Sequence, residues 1–376
     1  MTDKTKEIEK NIIEMFHHLH ENPEISWEER NTTEYIINYL TKWGCSVRTF
    51  NDSTGVIGEV GEGKPVVALR ADMDALWQEV DGEYRPNHSC GHDAHMAMVL
   101  GVVKSITSME SLPSGTIRFI FQPAEEKGTG ALKFVDEGVV DDVDYLFGVH
   151  LRPIQEMKMG KATPAILHGA ARFIEGKIIG EDAHGARPHL GTSAIEVGAS
   201  IVQLINNIHL DPMIPYSIKM TSFHAGGLSQ NIIPGNATFG LDLRAQTNEA
   251  MDLLVELLEA RIKSLETYNN IQILIETKAK IAASKVHHEA QKLMKAAIDE
   301  VLGRENCEPP LVTSGGDDFH FYTIKRPHLK ATMLGLGCDL SPGLHHPKMT
   351  FNHEALHKGT AILEQVILKA LTIEND

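Results

Sequence analysis

A chain of 376 residues is longer than one hydrophobic core usually serves, so its length calls for two domains. Hydrophobic residues make up 42% and charged residues 23%, a balance that excludes a disordered chain. A formal net charge of -16 repels phosphate backbones and anionic lipid, which excludes nucleic acid and membrane surfaces as partners.

Apolar residues at helical spacing (Ile12, Ile13, Phe16, Leu19, then Ile36, Ile37, Leu40) predict two opening helices, broken at Asn22-Pro23. Short β-rich runs bounded by Gly follow at 55–60 and 65–70, then a helix over 94–107 and a strand over 116–121. This alternation predicts an α/β domain with a mostly parallel central sheet. After Thr163 the pattern changes: strand 172–179, helix 193–207, strands 217–223 and 237–244, helix 249–263, strand 271–275. That order is βαββαβ, the plan of a ferredoxin-like α+β sandwich. Helix 287–302, strand 330–336 and helix 353–371 then resume the first pattern. The expected organisation is a catalytic domain at 1–164 and 283–376, interrupted by a lid or dimerisation domain at 165–282.

Four scattered cysteines (Cys45, Cys90, Cys307, Cys338) form no CxxC pair, which argues against a disulfide framework and a structural zinc knuckle. The first ten residues are polar and carry no apolar signal region, so the expected compartment is the cytoplasm. Cys90 lies in Ser89-Cys90-Gly91-His92-Asp93-Ala94-His95, beside a helix start; it is either a metal ligand or a reduced core cysteine next to surface histidines. Glu125-Glu126 directly follows the 116–121 strand, where open α/β sheets gather their active sites, so one carboxylate can hold a cation while its neighbour handles a proton. His150 ends the apolar run 145–149, and His345-His346-Pro347 follows the last strand. Each histidine alone reads equally as a satisfied buried imidazole. As a set, Cys90, His92, Glu126, His150 and His345 supply the ligands of a two-metal centre and leave Glu125 as a base.

Arg70-Ala71-Asp72-Met73-Asp74, Cys90-Gly91-His92-Asp93-Ala94-His95, Gln122-Pro123-Ala124-Glu125-Glu126, Gly148-Val149-His150, His184-Gly185-Ala186-Arg187-Pro188, Asn231-Ile232-Ile233-Pro234 and His345-His346-Pro347 occur in one order along nearly the whole chain. In these motifs the sequence resembles the hippurate hydrolase and indoleacetyl-amino-acid hydrolase branch of the aminoacylase and carboxypeptidase metallohydrolases. The resemblance implies an amidohydrolase that cleaves N-acyl amino acids to a carboxylate and a free amino acid. It implies two divalent metals per subunit, manganese or zinc, with cobalt and nickel also compatible, bridged by Cys90 and completed by His92, Glu126, His150 and His345. It further implies Glu125 as general base and His184 as oxyanion donor, reaching the site from its own chain or from a homodimer partner. Asn231 and Arg244 would hold the substrate carboxylate. Asp72 stands where the wider clan has a histidine ligand, and Asp74 matches an orienting aspartate. Trp77, a short 81–89 stretch and Asp317 in place of the usual Glu depart from the pattern. The rival readings are a dipeptidase or aminopeptidase with the same core, and an inactive binding protein on this scaffold; the second would tolerate loss of Glu125 or a ligand, and none is lost.

Overall fold

The computed structural model describes residues 3–112 and 114–373 and divides into two compact units. The first consists of the described residues up to Leu167, Lys285–Val312 and those from Asp317 on; the second is His168–Ser284 with Thr313–Gly316.

The first unit opens with α1 (Asp3–Glu21) and α2 (Arg30–Lys42), followed by β1 (Ser46–Thr49), β2 (Val56–Glu62) and β3 (Val66–Asp72). A hairpin of β4 (Leu76–Val80) and β5 (Glu83–Asn87) leads to α3 (His92–Thr107), β6 (Gly115–Gln122), α4 (Gly130–Asp136), β7 (Tyr145–Pro153), β8 (Ala162–Thr163) and β9 (Ile166–His168). The hairpin turns on Asp81 and Gly82, both at positive φ, the geometry that Asp-Gly favours.

The second unit holds β10 (Ala170–Ile179), β11 (Ala183–His184), α5 (Ala194–Asn206), β12 (Tyr216–Ala225), β13 (Ile232–Ile233), β14 (Ala237–Ala245), α6 (Asn248–Asn269) and β15 (Gln272–Ile281). Its sheet runs β12-β14-β10-β15, every pair antiparallel, and one face packs on α5 and α6 through Ile174, Ile201, Leu241, Leu254 and Leu258. This is the split-βαβ arrangement. β15 runs past the apolar stretch that marks it in the sequence, because Glu276–Lys280 lie on an exposed edge and show no alternation.

The chain returns through α7 (His288–Leu302), β16 (Leu311–Thr313), α8 (His320–Lys325), β17 (Lys330–Leu340) and α9 (Glu354–Leu371). The seven-stranded sheet of the first unit is ordered β1-β2-β6-β3-β7-β17-β8. Its centre, β6-β3-β7-β17, is parallel, whereas β1, β2 and β8 pair antiparallel. The sheet is therefore mixed rather than parallel throughout. A link of six residues between β1 and β2 allows a reversal but is too short for a crossover back to a parallel strand.

Helix α3 is apolar nearly all round (Met96, Val99, Leu100, Val102, Val103) because it lies in the core against the sheet, α1 and α9. Its N-cap, Gly91, has φ 88°, a conformation glycine alone takes without steric cost. A buried helix starting at the end of the central strands brings its first turn to their carboxyl ends, where β3, β6 and β7 deliver Asp72, Glu125, Glu126 and His150. Among the described residues no helix is long and apolar enough to cross a membrane.

Candidate metal centre

Cys90, His92 and His150 each offer a ligand atom within 4.8 Å of the others, and so do Cys90, Glu126 and His345. Cys90 is common to both groups, the arrangement expected of a thiolate shared by two ions. His92 and His95 lie in the first turn of α3 and are fully buried, so neither is a surface histidine.

The imidazoles are oriented by their second nitrogens. Nδ1 of His92 lies 2.8 Å from the carbonyl of Asp74, and Nδ1 of His150 lies 2.7 Å from the carbonyl of Leu151. Each Nδ1 thus donates, and each Nε2 turns a lone pair inward; Nε2 of His150 is 3.6 Å from Sγ of Cys90. His95 is spent differently: Nδ1 donates to Asp72 at 2.7 Å, and Nε2 accepts from the Leu151 N–H at 3.0 Å. It supports β7 next to His150 and has no lone pair left for a metal. His345, at φ 63°, is half exposed and held in place by its own N–H donating to the Ser89 carbonyl at 2.7 Å; its Nε2 is 3.4 Å from Glu126 Oε1.

Nε2 of His92 and Oε1 of Glu126 are buried without a hydrogen-bond partner, a costly condition for polar atoms that have no cation to face. The charges agree. Asp72, Asp74, Glu125, Glu126, Asp317 and Asp318 crowd a region whose fixed positive charge is Arg70. Burial and then Glu126 push the Cys90 thiol well above its usual range. Burial works against a charge on His92, yet Asp72 and Cys90 carry its proton affinity well up. The rise at His92 against its own burial reflects the negative charge of Asp72 and Cys90, a charge that a cation relieves. Thiol, imidazole and carboxylate donors with stranded lone pairs fit divalent metal ions.

Glu125 and Glu126 leave β6 through a turn that Gly130 makes room for, since a Cβ there would lie 1.7 Å from the Pro123 carbonyl oxygen. Asp74 fixes the pair: its Oδ1 accepts from the Glu125 N–H at 3.1 Å and its Oδ2 from the Glu126 N–H at 3.0 Å and from the Ser26 hydroxyl at 2.6 Å. Oε1 of Glu125 accepts from the Asp318 N–H at 3.3 Å, leaving Oε2 3.9 Å from Nε2 of His92. Burial, then Asp317 and Glu126, hold the Glu125 carboxyl well above the ordinary range, the direction a proton carrier needs.

Sequence reading gave no role to Arg70. Its guanidinium is fully buried and reaches Asp72 at 2.6 Å, Asp318 at 2.8 Å, Asp317 at 3.4 Å and Gln122 at 3.0 Å. Gln122 in turn donates to Asp318 and accepts from Tyr322. An arginine two residues before a motif aspartate on a buried strand was the available signal, because a buried charge must be paired.

His184, Asn231 and Arg244 belong to the second unit. β11 pairs with β13, which sets His184 opposite Ile232 and lets the Gly185 N–H donate to the Asn231 carbonyl, so His184 and Asn231 are neighbours. Both are exposed. Arg244, on β14, donates to Asp242 at 2.8 Å and 3.3 Å and lies over the Phe173 ring.

The chain is 32% identical to the IAA-amino acid hydrolase ILR1-like 4 of Arabidopsis thaliana, over 92% of this chain and 82% of that protein. It is 30% identical to the N-acetyl-L-cysteine deacetylase of Bacillus subtilis, over 95% and 87% respectively. Among solved structures it is similar to a dinuclear metal-binding peptidase of Bacillus subtilis, with a TM-score of 0.81 at 26% identity, over 97% of this chain and 99% of that one. Residues 68–369 match the family described as Peptidase family M20/M25/M40, and the chain belongs to that family.

Proposed function

We propose that this protein is a binuclear metal-dependent amidohydrolase that cleaves the amide bond of N-acyl amino acids. The observation that carries the reading is the pair of ligand groups sharing Cys90, with Glu125 beside them and its Oε2 3.9 Å from Nε2 of His92. Cys90, His92, His150, Glu126 and His345 would hold the ions, Cys90 being common to both ligand groups. Manganese and zinc suit this mixed donor set, and cobalt and nickel are also accommodated. Such ions polarise an amide carbonyl and make water nucleophilic near neutral pH.

The chain's own residues do the rest. Oε2 of Glu125 takes the proton from the attacking water and gives it to the leaving nitrogen, while Oε1 stays tied to the Asp318 N–H. His184 supplies a donor to the oxyanion, and Asn231 and Arg244 receive the carboxylate of the amino-acid half. His184 does so from its own chain or across a homodimer formed by the second unit. None of the four cysteines is paired, which suits a cytoplasmic enzyme whose Cys90 must stay reduced.

Incubating the metal-loaded protein with acetyl-, benzoyl- and indoleacetyl-amino acids and with simple dipeptides tests the reading. Release of free amino acid from the acylated set, with dipeptides cleaved more slowly, is expected. Preference for dipeptides with a free ammonium would turn the assignment to a dipeptidase.

A further inference from the structure

The turn that carries Glu125 and Glu126 is neither helix nor strand; its carbonyls are tied within the turn, Glu125 accepting from the Gly128 N–H at 2.7 Å and Ala124 from the Gly130 N–H at 3.2 Å, while its leading N–H groups depend on side chains. Pro123 has no N–H, and the next three N–H groups all end on carboxylates: Glu125 and Glu126 on Asp74, and Ala124 on Oε1 of Glu29 at 2.9 Å. Ala124 itself has φ 53°, a left-handed conformation that L residues seldom adopt. Glu29 is buried at the start of α2, and its second oxygen accepts from the Thr54 hydroxyl at 2.6 Å, which fixes the carboxylate from both sides. The segment preceding it clasps the same turn: Ser26 donates to Asp74, Lys127 donates to the Ser26 carbonyl, and the Trp27 indole N–H donates to Thr129.

We infer that Glu29 is a positioning residue, which anchors the left-handed Ala124 and thereby sets the separate directions of Glu125 and Glu126. The inference rests on the roles proposed for that pair. Without Glu29 the Ala124 N–H has no acceptor, and the turn relaxes toward conformations that displace both carboxylates. Charge on Glu29 is not required. A glutamine presents the same oxygen to Ala124 and turns its amide toward the Thr54 oxygen, which can accept.

The test compares Glu29→Ala and Glu29→Gln with the parent protein by calorimetric metal titration and by kcat and KM. In Glu29→Ala, the metal-binding step that depends on Glu126 should weaken by about tenfold or more. Its kcat should fall by about 100-fold, the scale of a 1 Å misplacement, with KM little changed. Glu29→Gln should restore both. A folded Glu29→Ala with both quantities within about twofold of the parent overturns the inference, and so does a Glu29→Gln as impaired as the alanine variant. If Glu29→Ala does not fold, Thr54→Val frees one side of the carboxylate: about a tenfold loss of kcat at an unchanged melting temperature supports the inference, and unchanged kcat overturns it. Glu125→Gln run in parallel separates the two failures. If Glu125→Gln stays active, the proposed role of Glu125 falls; if it is inactive while Glu29→Ala is normal, only the role of Glu29 falls.

Discussion

Replacing Arg70 by Met keeps most of the side-chain volume and deletes the buried charge. Asp72, Asp317 and Asp318 then lose the guanidinium at 2.6, 3.4 and 2.8 Å. Removing one partner of a buried ionic network costs about 3–5 kcal/mol, which for a unit of this size lowers the melting temperature by about 10 °C. The loss should depend on pH. Burial, opposed by Arg70 and reinforced by Asp317, holds the Asp318 pKa up to about 7 against an ordinary 3.8. A carboxyl raised in the folded state stabilises the fold below its unfolded pKa, and that contribution is lost as pH rises through the folded pKa. The window is therefore about pH 4–7. Removing Arg70 raises this pKa further, so Arg70→Met should be least handicapped at pH 5 and most at pH 8. Urea unfolding of the metal-free protein at both pH values, followed by the transition of the first unit, provides the assay. A variant within about 1 kcal/mol of the parent at pH 8 would refute the view that Arg70 is the counter-charge of this region.

Glu125→Gln should keep both metals and lose turnover by a factor of about 100–10,000, whereas Glu126→Gln should lose metal first; metal analysis beside steady-state kinetics separates them. His345→Ala should bind one ion tightly and the second weakly, because His345 serves one of the two ligand groups, and a two-step calorimetric isotherm reads this directly. Mixing Glu125→Gln with His184→Ala under verified subunit exchange should recover part of the activity if His184 serves the partner subunit's site; a mixture that stays inactive places His184 in its own chain or in a structural role.

The two-unit α/β plan was legible because its long elements keep their periodicity: buried α3, the strands β3, β6 and β7, and the βαββαβ order each announce themselves locally. The β4–β5 hairpin escaped, although Asp81-Gly82 between runs of alternating character is a hairpin signal. Its strands are short and mostly exposed, so the apolar alternation is faint. The antiparallel strands at the sheet's margins escaped because pairing direction follows from link length rather than from strand composition. The residues that the fold brings together as candidate ligands stood out by their chemistry beside strand ends. What joins them did not: Arg70 meets Asp318 across 248 positions of sequence, and Glu29 meets Ala124 across 95. Such contacts exist only once the sheet is assembled.

Sharing of Cys90 between two ions is the claim on which the proposed chemistry stands, and metal titration of the parent protein and Cys90→Ser tests it directly. Two ions per chain in the parent and loss of tight binding at both positions in Cys90→Ser is the expected result, because a hydroxyl replaces poorly a thiolate that bridges. Two tightly held ions in Cys90→Ser, or a single ion in the fully loaded parent protein, would contradict it.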